Sequence, residues 1–155
     1  MPIITPAQQH IEEITYFQDK DPNLECWISE PGGLTQFGAF VQLLQPDTRS
    51  SIKHWHRDED ELVYVLDGEI TVVEGEQQTL LRAGDAATFK AGTPIGHFLW
   101  NRGLLPARCL VVGTRAQTDR ITYPDHDRLL HRDRSQPEDI WTDLNGNPAS
   151  DPYAA

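Results

Sequence analysis

Two histidines separated by one residue are the first feature of this sequence that could do chemistry. His54 and His56 flank Trp55 in a short segment. Residues i and i+2 project to the same side of a strand, whereas on a helix they diverge by about 200°. The pair therefore indicates a strand, and two imidazoles on one face of it are suitable first ligands for a transition-metal ion.

Two further side chains stand where they could complete such a site. Glu61 opens the next predicted strand after an acidic loop, and His97 begins a later strand. Two or three histidines with one carboxylate suit Fe, Mn, Ni, Co or Zn and leave coordination positions for water or substrate. Taken singly, the histidine pair and the acidic run are more typical of solvated residues, and His97 is also compatible with a hydrogen-bonded interior histidine, but the combined spacing favours a metal site. Three other histidines show no such pattern: His10, His126 and His131.

The elements that position these residues are predicted to be short strands. Eleven glycines and eleven prolines divide the chain, and apolar runs alternate with turn signals. Asp67-Gly68, between two such runs, is a strong hairpin signal. No gap between runs is long enough for a crossover helix, so we predict an all-β sandwich or barrel. The predicted strands are 37–44, 51–56, 61–66, 69–73, 77–81, 86–89, 97–101 and 108–113.

The two ends of the chain differ from this middle part. We expect one strand from Glu13 to Phe17, and one or two helical turns between Asp125 and Asp133. The tail after Pro137 is rich in Pro, Asn and Asp but carries aromatic residues, which purely disordered segments mostly lack. We therefore expect the tail to pack against the barrel or a neighbouring subunit.

The composition limits the classes of partner. The chain has 155 residues and a formal net charge of -11, which suits one domain over residues 1–155. Nucleic acids and anionic membranes attract Lys and Arg, so both are excluded as partners, and a small-molecule ligand or a protein remains. The sequence has no signal-peptide pattern and no apolar run that could cross a bilayer, so we expect a cytoplasmic protein. There Cys26 and Cys109 are expected to be reduced thiols, with one disulfide as the alternative.

The spacing of the candidate ligands resembles the first of the two motifs of the cupin superfamily. That motif, H-x-H, three or four residues, E, six residues, G, is matched by His54, His56, Glu61 and Gly68. The resemblance extends over about residues 38–115. It implies a double-stranded β-helix, or jelly-roll barrel, over about residues 36–123, with an N-terminal extension and a C-terminal extension over about 124–155. It also implies that a divalent metal is held by four side chains: His54, His56, Glu61 and His97.

The second motif departs from the family pattern G-x5-P-x-G-x2-H-x3-N. Lys90 stands at the position of the proline, and two additional residues precede His97, whose spacing to Asn101 is kept. The segments around this motif resemble a group of small bacterial cupins of unsettled activity. The resemblance therefore implies a metal site and leaves the substrate open.

Alternation along the strand that begins with Glu61 predicts which side chains face the interior. Val63 and Val65 are expected inside, and an apolar set is expected outside: Leu62, Tyr64 and Leu66. Such a stripe needs cover, either from a second subunit in a homodimer or from the N-terminal segment. In the interior we expect no second carboxylate or tyrosine that could act as a general base. We also expect no Lys and Arg cluster there, which argues against a phosphorylated substrate.

Three functions are compatible with this pattern. The favoured one is a small metal-dependent enzyme that acts on a small polar or carbonyl molecule, by isomerase, dioxygenase or lyase chemistry. The alternative is a non-catalytic module that binds or senses a small molecule in the same barrel. A purely structural barrel is the least favoured, because all four ligand types occur at matching spacing.

Overall fold

Strands are the main regular secondary structure of the chain, and the all-β prediction is confirmed. The computed structural model describes residues 1–16 and 21–154. Three short 3-10 turns accompany the strands: Pro6–Gln8, Pro124–His126 and Pro152–Ala154. The strands are β1 (His10–Ile14), β2 (Asn23–Trp27), β3 (Phe37–Leu44), β4 (Trp55–His56), β5 (Glu61–Asp67), β6 (Glu69–Glu74), β7 (Gln77–Arg82), β8 (Ala86–Phe89), β9 (His97–Trp100), β10 (Ala107–Thr114), β11 (Thr118–Tyr123), β12 (Arg128–Asp133) and β13 (Ile140–Thr142).

The strands form two layers, as in a jelly roll. One layer is a six-stranded antiparallel sheet in the order β1-β2-β3-β10-β5-β8. The other layer consists of a three-stranded sheet, β7-β6-β9, and a four-stranded sheet, β13-β12-β11-β4. A β-bridge between His54 and His97 connects the edges of these two smaller sheets. The predicted jelly-roll barrel is therefore confirmed.

A hydrophobic core fills the space between the six-stranded and three-stranded sheets. Val63 and Val65 on β5 are completely buried. Their partners on β10, Val111 and Cys109, are buried as well, and Ile70 joins them from β6. The intervening side chains of β5 are 37–40% exposed, because successive residues of a strand point to opposite faces. The inward and outward sets predicted for β5 are both found.

The hairpin between β5 and β6 depends on a glycine. Gly68 has a φ of 80°, in the left-handed region that glycine adopts without steric penalty. A Cβ atom at this position would lie 2.8 Å from the Cβ of Ala107 at the start of β10. Backbone conformation and close packing both therefore require the last residue of the first motif to be glycine.

Both ends of the chain contain more strand than predicted. Four strands are absent from the predicted set: β2, β11, β12 and β13. β1 begins at His10, three residues before the predicted strand Glu13 to Phe17. Phe17 lies outside the described residues. The helical turns predicted between Asp125 and Asp133 reduce to the single turn Pro124–His126. The rest of that segment is β12, which pairs with β11 on one side and β13 on the other. Pairing on both sides outweighs the local preferences of these residues.

The C-terminal tail packs against the four-stranded sheet, which was one of its two predicted positions. Trp141 and Tyr153 lie against a small second core. The ring of Tyr153 also lies edge-on to Tyr123, with 5.9 Å between centroids. The residues of this core are Ile52, Ile121, Tyr123 and Leu130.

The structure also bears on thiols and membrane-crossing segments. Cys26 on β2 and Cys109 on β10 are free thiols, and Cys109 is completely buried. Among the described residues, no helix has the length and hydropathy needed to cross a membrane.

Candidate metal centre

The four predicted ligands come from different elements and meet at one cavity. His54 precedes β4 and bridges to His97 at the start of β9. His56 lies within β4, and Glu61 opens β5. All four side chains line a cavity of about 390 Å³ between the two layers. The structure therefore brings the whole predicted set together.

The polar atoms of these side chains lie a few ångströms apart. Oxygens of Glu61 lie 3.9 Å from Nε2 of His56 and 3.6 Å from Nε2 of His97. The ring centroid of His54 lies 5.2 Å from that of His56 and 5.0 Å from that of His97. Ligand atoms of His54, His56 and Glu61 fall within 4.8 Å of one another. One ion could contact these three, and His97 stands next to Glu61 despite its irregular motif.

Hydrogen bonds leave the Nε2 atoms of two histidines available as ligands. Nδ1 of His54 lies 2.9 Å from the carbonyl oxygen of Ile52, which can only accept, so Nδ1 carries the proton. Nδ1 of His56 donates in the same way to Oδ2 of Asp119 over 2.7 Å. A neutral imidazole protonated at Nδ1 offers its lone pair at Nε2. Both rings therefore have the tautomer that metal coordination through Nε2 requires.

His97 shows whether a metal ion fits the site. Its ring stacks on Phe89, with centroids 3.6 Å apart and planes 5° apart, and the residue is 3% exposed. Within the described part of the chain, Nε2 of His97 has no hydrogen-bond partner. Buried polar atoms are nearly always paired, and a cation beside Glu61 would pair this one. The residues present therefore fit a divalent transition metal.

The protonation states of the site also suit metal coordination. Burial by itself would raise the pKa of Glu61, but the adjoining imidazole of His97 and the charges of His54 and His56 lower it to about 2. Burial, followed by the neighbouring His97 and His56, lowers the pKa of His54 to about 4. At neutral pH the glutamate is ionised and His54 is neutral, which are the forms that bind metals.

Asp119 on β11 holds His56 in position and was not among the predicted site residues. Its side chain is completely buried, and besides His56 it accepts hydrogen bonds from the backbone N–H groups of Asp58 (2.9 Å) and Arg120 (2.8 Å). Burial alone would raise its pKa, but the hydrogen bonds from His56 and from the backbone lower it. Asp119 is therefore a carboxylate with a fixed orientation, the usual outer partner of a metal-binding histidine.

An Asp119→Asn substitution is expected to weaken metal binding by about 10- to 100-fold. The new amide can keep its oxygen toward the backbone N–H groups only by turning its NH2 toward Nδ1 of His56. That nitrogen must then accept, which moves the imidazole proton to Nε2 and blocks the ligand position. Competition with a chromogenic chelator measures the affinity. Asp133→Asn, on the neighbouring strand, is the matched control, and equal affinities of the two variants would contradict the role of Asp119.

A further carboxylate faces the cavity, so the expectation of an interior without another acid–base group is wrong. Nε2 of Gln42 donates to Oε1 of Glu25 over 3.4 Å. Burial, and after it the charges of Glu12 and Glu61, raise the pKa of Glu25 to about 7. Glu25 lies on β2, which was not a predicted strand, and its inward position was therefore hidden. Three tyrosines line the cavity with it: Tyr16, Tyr123 and Tyr153.

This raised pKa predicts a pH-dependent gain in stability for Glu25→Gln. The unfolded chain releases the Glu25 proton near the ordinary value of 4.5 and the folded chain near 7, so the wild type loses stability as the pH rises through that window. Glutamine does not ionise. At pH values above the pKa of Glu25 in the folded chain, the free energy of unfolding of metal-free Glu25→Gln should therefore exceed that of the wild type by about 1–3 kcal/mol. Below the pKa of Glu25 in the unfolded chain, the two free energies should be equal.

Urea unfolding at about pH 4 and about pH 8 measures this difference. Glu13→Gln is the matched control, because Glu13 is an exposed glutamate of the neighbouring strand β1, whereas the β1 charge that raises the pKa of Glu25 is that of Glu12. The same gain at both pH values, or an equal gain in the control, would show that the Glu25 pKa is ordinary.

Three arginines line the cavity, so the expectation of an interior without a basic cluster is wrong as well. Arg115 follows β10, Arg132 lies on β12, and Arg134 follows β12. Leu130 on β12 is buried, and alternate residues share a face of a strand, which places Arg132 and Arg134 on the inward side. A helical interpretation of this segment could not show that alternation.

Comparisons with known proteins agree with this architecture. Residues 40–113 match the family described as Cupin domain, whereas curated proteins gave no match. A structure described as a sugar phosphate isomerase from a cupin superfamily, from Silicibacter pomeroyi, is 36% identical, with a TM-score of 0.77, over 83% of this chain and 80% of that one. A proposed sugar phosphate isomerase from Acidithiobacillus ferrooxidans is 26% identical, with a TM-score of 0.75, over 84% and 81%. A proposed oxalate decarboxylase from Thermotoga maritima, 19% identical over 74% and 100%, shares the fold with a TM-score of 0.62.

Proposed function

The chain belongs to the cupin superfamily, and on that basis we propose that it is a metal-dependent isomerase of small hydroxy-carbonyl compounds. The observation that carries this proposal is Glu25, a carboxylate with a raised pKa in the cavity that also holds the four candidate ligands. A metal site with a separate acid–base group is what proton transfer next to a carbonyl requires. One relative, 36% identical, is described as a sugar phosphate isomerase, and a second, 26% identical, as a proposed one. Both descriptions support the same reaction class.

The metal centre in this proposal consists of the four predicted ligands. His54, His56, Glu61 and His97 hold one divalent ion, which is Fe, Mn, Ni, Co or Zn. When bound, such an ion acts as a Lewis acid on a carbonyl or hydroxyl oxygen of the substrate. The convergence of polar atoms of His54, His56 and Glu61 and the unpaired Nε2 of His97 beside Glu61 support this assignment.

Glu25 is the proposed general base. Its carboxylate takes the proton from the carbon next to the carbonyl and returns it, as a carboxylic acid, to the former carbonyl carbon, while the hydroxyl proton moves between the two oxygens. A pKa of about 7 suits both steps, since the group must take up and release a proton at neutral pH. The tyrosines stay protonated because burial raises their pKa values, that of Tyr153 to about 12, so they do not compete with Glu25 as bases at neutral pH.

Deuterium incorporation tests this function. The metal-loaded protein is incubated in D2O with a panel of short aldose and ketose phosphates, and NMR follows each carbon beside the carbonyl. We expect interconversion with exchange at that carbon, and loss of both after chelation and dialysis. Substrates that bind the metal-loaded protein without exchange or conversion would overturn the isomerase proposal and favour a binding module.

We also propose that the protein is a homodimer through the outer face of the six-stranded sheet. The strand registers place five apolar residues side by side across five strands. The alternative cover, the N-terminal segment, forms β1 at the sheet edge in the described residues. Sedimentation should give a dimer mass, and Tyr64→Glu, at the β5 end of the row, should shift it to the monomer mass; a monomeric wild type would overturn the proposal. The row is Ile11, Cys26, Val41, Leu110 and Tyr64.

A further inference from the structure

We propose that Arg115 and Arg134 form an anion subsite that holds the phosphate group of the substrate, at the end of the cavity opposite the buried core. This inference rests on the proposed function for its substrate, a small phosphorylated hydroxy-carbonyl compound. It assigns specificity to two residues that belong neither to the first motif nor to the candidate metal centre.

Both arginines are tied to the loop that joins β10 to β11. Arg115 begins this loop, and Nε of Arg134 donates to the carbonyl oxygen of Ala116 over 3.0 Å. The backbone N–H of Arg134 also donates to the carbonyl of Gln117, over 3.0 Å. Two arginines that are distant in sequence are therefore fixed at one place on the cavity wall.

The guanidinium of Arg115 lies against Gly38, in space that a larger residue at this position would occupy. A Cβ atom on Gly38 would lie 3.0 Å from Nε of Arg115 and 3.2 Å from the Trp27 ring. The guanidinium carbon lies 5.5 Å from the centroid of that ring. Gly38 pairs with Gly113 across β3 and β10, and Gly113 in turn pairs with Glu61 on β5. Gly38 and Gly113 therefore lie side by side between Arg115 and Glu61, a candidate metal ligand, and neither has a side chain that fills the space between them.

Both arginines have donors beyond those used within the chain. Arg115 donates from Nη2 to Oε1 of Glu30 over 2.6 Å, and Glu30 is 46% exposed, so this pair is a weak surface ion pair. Arg134 donates from Nη2 to Oε1 of Glu59 over 2.7 Å. Each guanidinium has five N–H donors in a planar fork, which leaves free donors for the oxygens of a phosphate.

Glu59 connects Arg134 to the candidate metal centre. Its Oε1 accepts from Arg134, while its Oε2 lies 3.9 Å from Nδ1 of His56. Because the metal-facing atom of His56 is Nε2, Arg134 is held at the outer edge of that ring, with one carboxylate between the two side chains.

The charges that line the cavity are balanced, although the whole chain is strongly acidic. Among the described residues that line it, three glutamates balance three arginines: Glu25, Glu59, Glu61, Arg115, Arg132 and Arg134. A divalent cation on the ligand set would add two positive charges, which offset the two carboxylates that pair with Arg115 and Arg132 from outside the lining, Glu30 and Asp139. The metal-loaded cavity is therefore less unfavourable for a dianion than the rest of this acidic protein.

Calorimetric titration with inorganic phosphate, on metal-loaded protein, tests the subsite. Arg115→Gln is expected to weaken phosphate binding at least about tenfold, since it removes charge-assisted hydrogen bonds. Gly38→Ala should weaken phosphate binding as well, because the new methyl group displaces the guanidinium of Arg115 although the arginine keeps its charge. Arg82→Gln is the matched control, since Arg82 forms a similar exposed pair with Glu69 away from the cavity.

Equal phosphate affinity in Arg115→Gln and Arg82→Gln would overturn the subsite, even if deuterium exchange occurs. Arg115-dependent phosphate binding without exchange would leave the subsite standing and remove the isomerase activity. A parallel titration with succinate distinguishes the two anion classes. Arg115-dependent binding that is tighter for the dicarboxylate than for phosphate would overturn the assignment to phosphate.

Discussion

His56→Ala is expected to abolish stoichiometric metal binding. The wild type, purified without chelator, should carry close to one equivalent of a divalent transition metal, and the variant should lose affinity by more than about 100-fold. The physical reason is that His56 offers its Nε2 directly to the site, whereas replacement of an outer partner of such a ligand already lowers affinity about 10- to 100-fold. Elemental analysis by mass spectrometry measures the metal content.

His126→Ala is the control for this experiment, because His126 is exposed and outside the cavity. Its metal content should equal that of the wild type. Urea unfolding of both metal-free variants shows whether the barrel is intact. Unchanged metal content in a folded His56→Ala variant would refute the metal centre and the function that depends on it.

Glu25→Gln is expected to reduce isomerisation and deuterium exchange by about 10²- to 10⁴-fold, the range for loss of a general base. The amide keeps the shape of the carboxylate and can still contact Gln42, but it cannot take a proton from carbon. Metal content should stay at the wild-type value, because Glu25 is not among the candidate ligands. The measurement is the rate of deuterium incorporation at saturating substrate.

Glu13→Gln distinguishes this chemical role from a general effect of charge. Glu13 lies on β1, the strand that pairs with the strand of Glu25, but it is exposed, and of the two glutamates only Glu25 lines the cavity. The control should therefore keep its exchange rate. A Glu25→Gln variant with wild-type exchange would assign the proton transfer to another group, and equal losses in both variants would indicate a nonspecific electrostatic effect.

The barrel was predictable from sequence because its signals are local, and the meeting of its four candidate ligands was predictable because their spacing resembles the cupin motifs. The alternation of β5 shows in consecutive residues, with Val63 and Val65 inside. The histidine pair is interpretable on a strand alone, since only there do both side chains share a face. The turn at Gly68 requires glycine for its backbone and therefore marks the boundary of the hairpin.

The rest of the cavity was not predictable because polar side chains on its wall strands face the interior, where apolar side chains are usual. On β2 the apolar residues Leu24 and Cys26 alternate with Glu25 and Trp27, and it is Glu25 that faces the cavity. Arg132 on β12 and Arg134 just after it lie on the same inward side as the buried Leu130. A strand with a polar inner face has no hydrophobic period that points to the interior. Asp119 is hidden for another reason, since its partner His56 is 63 residues away.

The three candidate ligands that lie in strands come from three different sheets: Glu61 from the six-stranded, His97 from the three-stranded and His56 from the four-stranded sheet. An ion bound there is held only by the folded chain and stabilises it by about 4 kcal/mol at a thousand times its dissociation constant. Withdrawal of the ion raises the unfolded fraction, on which proteases act, about a thousandfold. Metal supply would thereby control the lifetime and abundance of this protein in the cell.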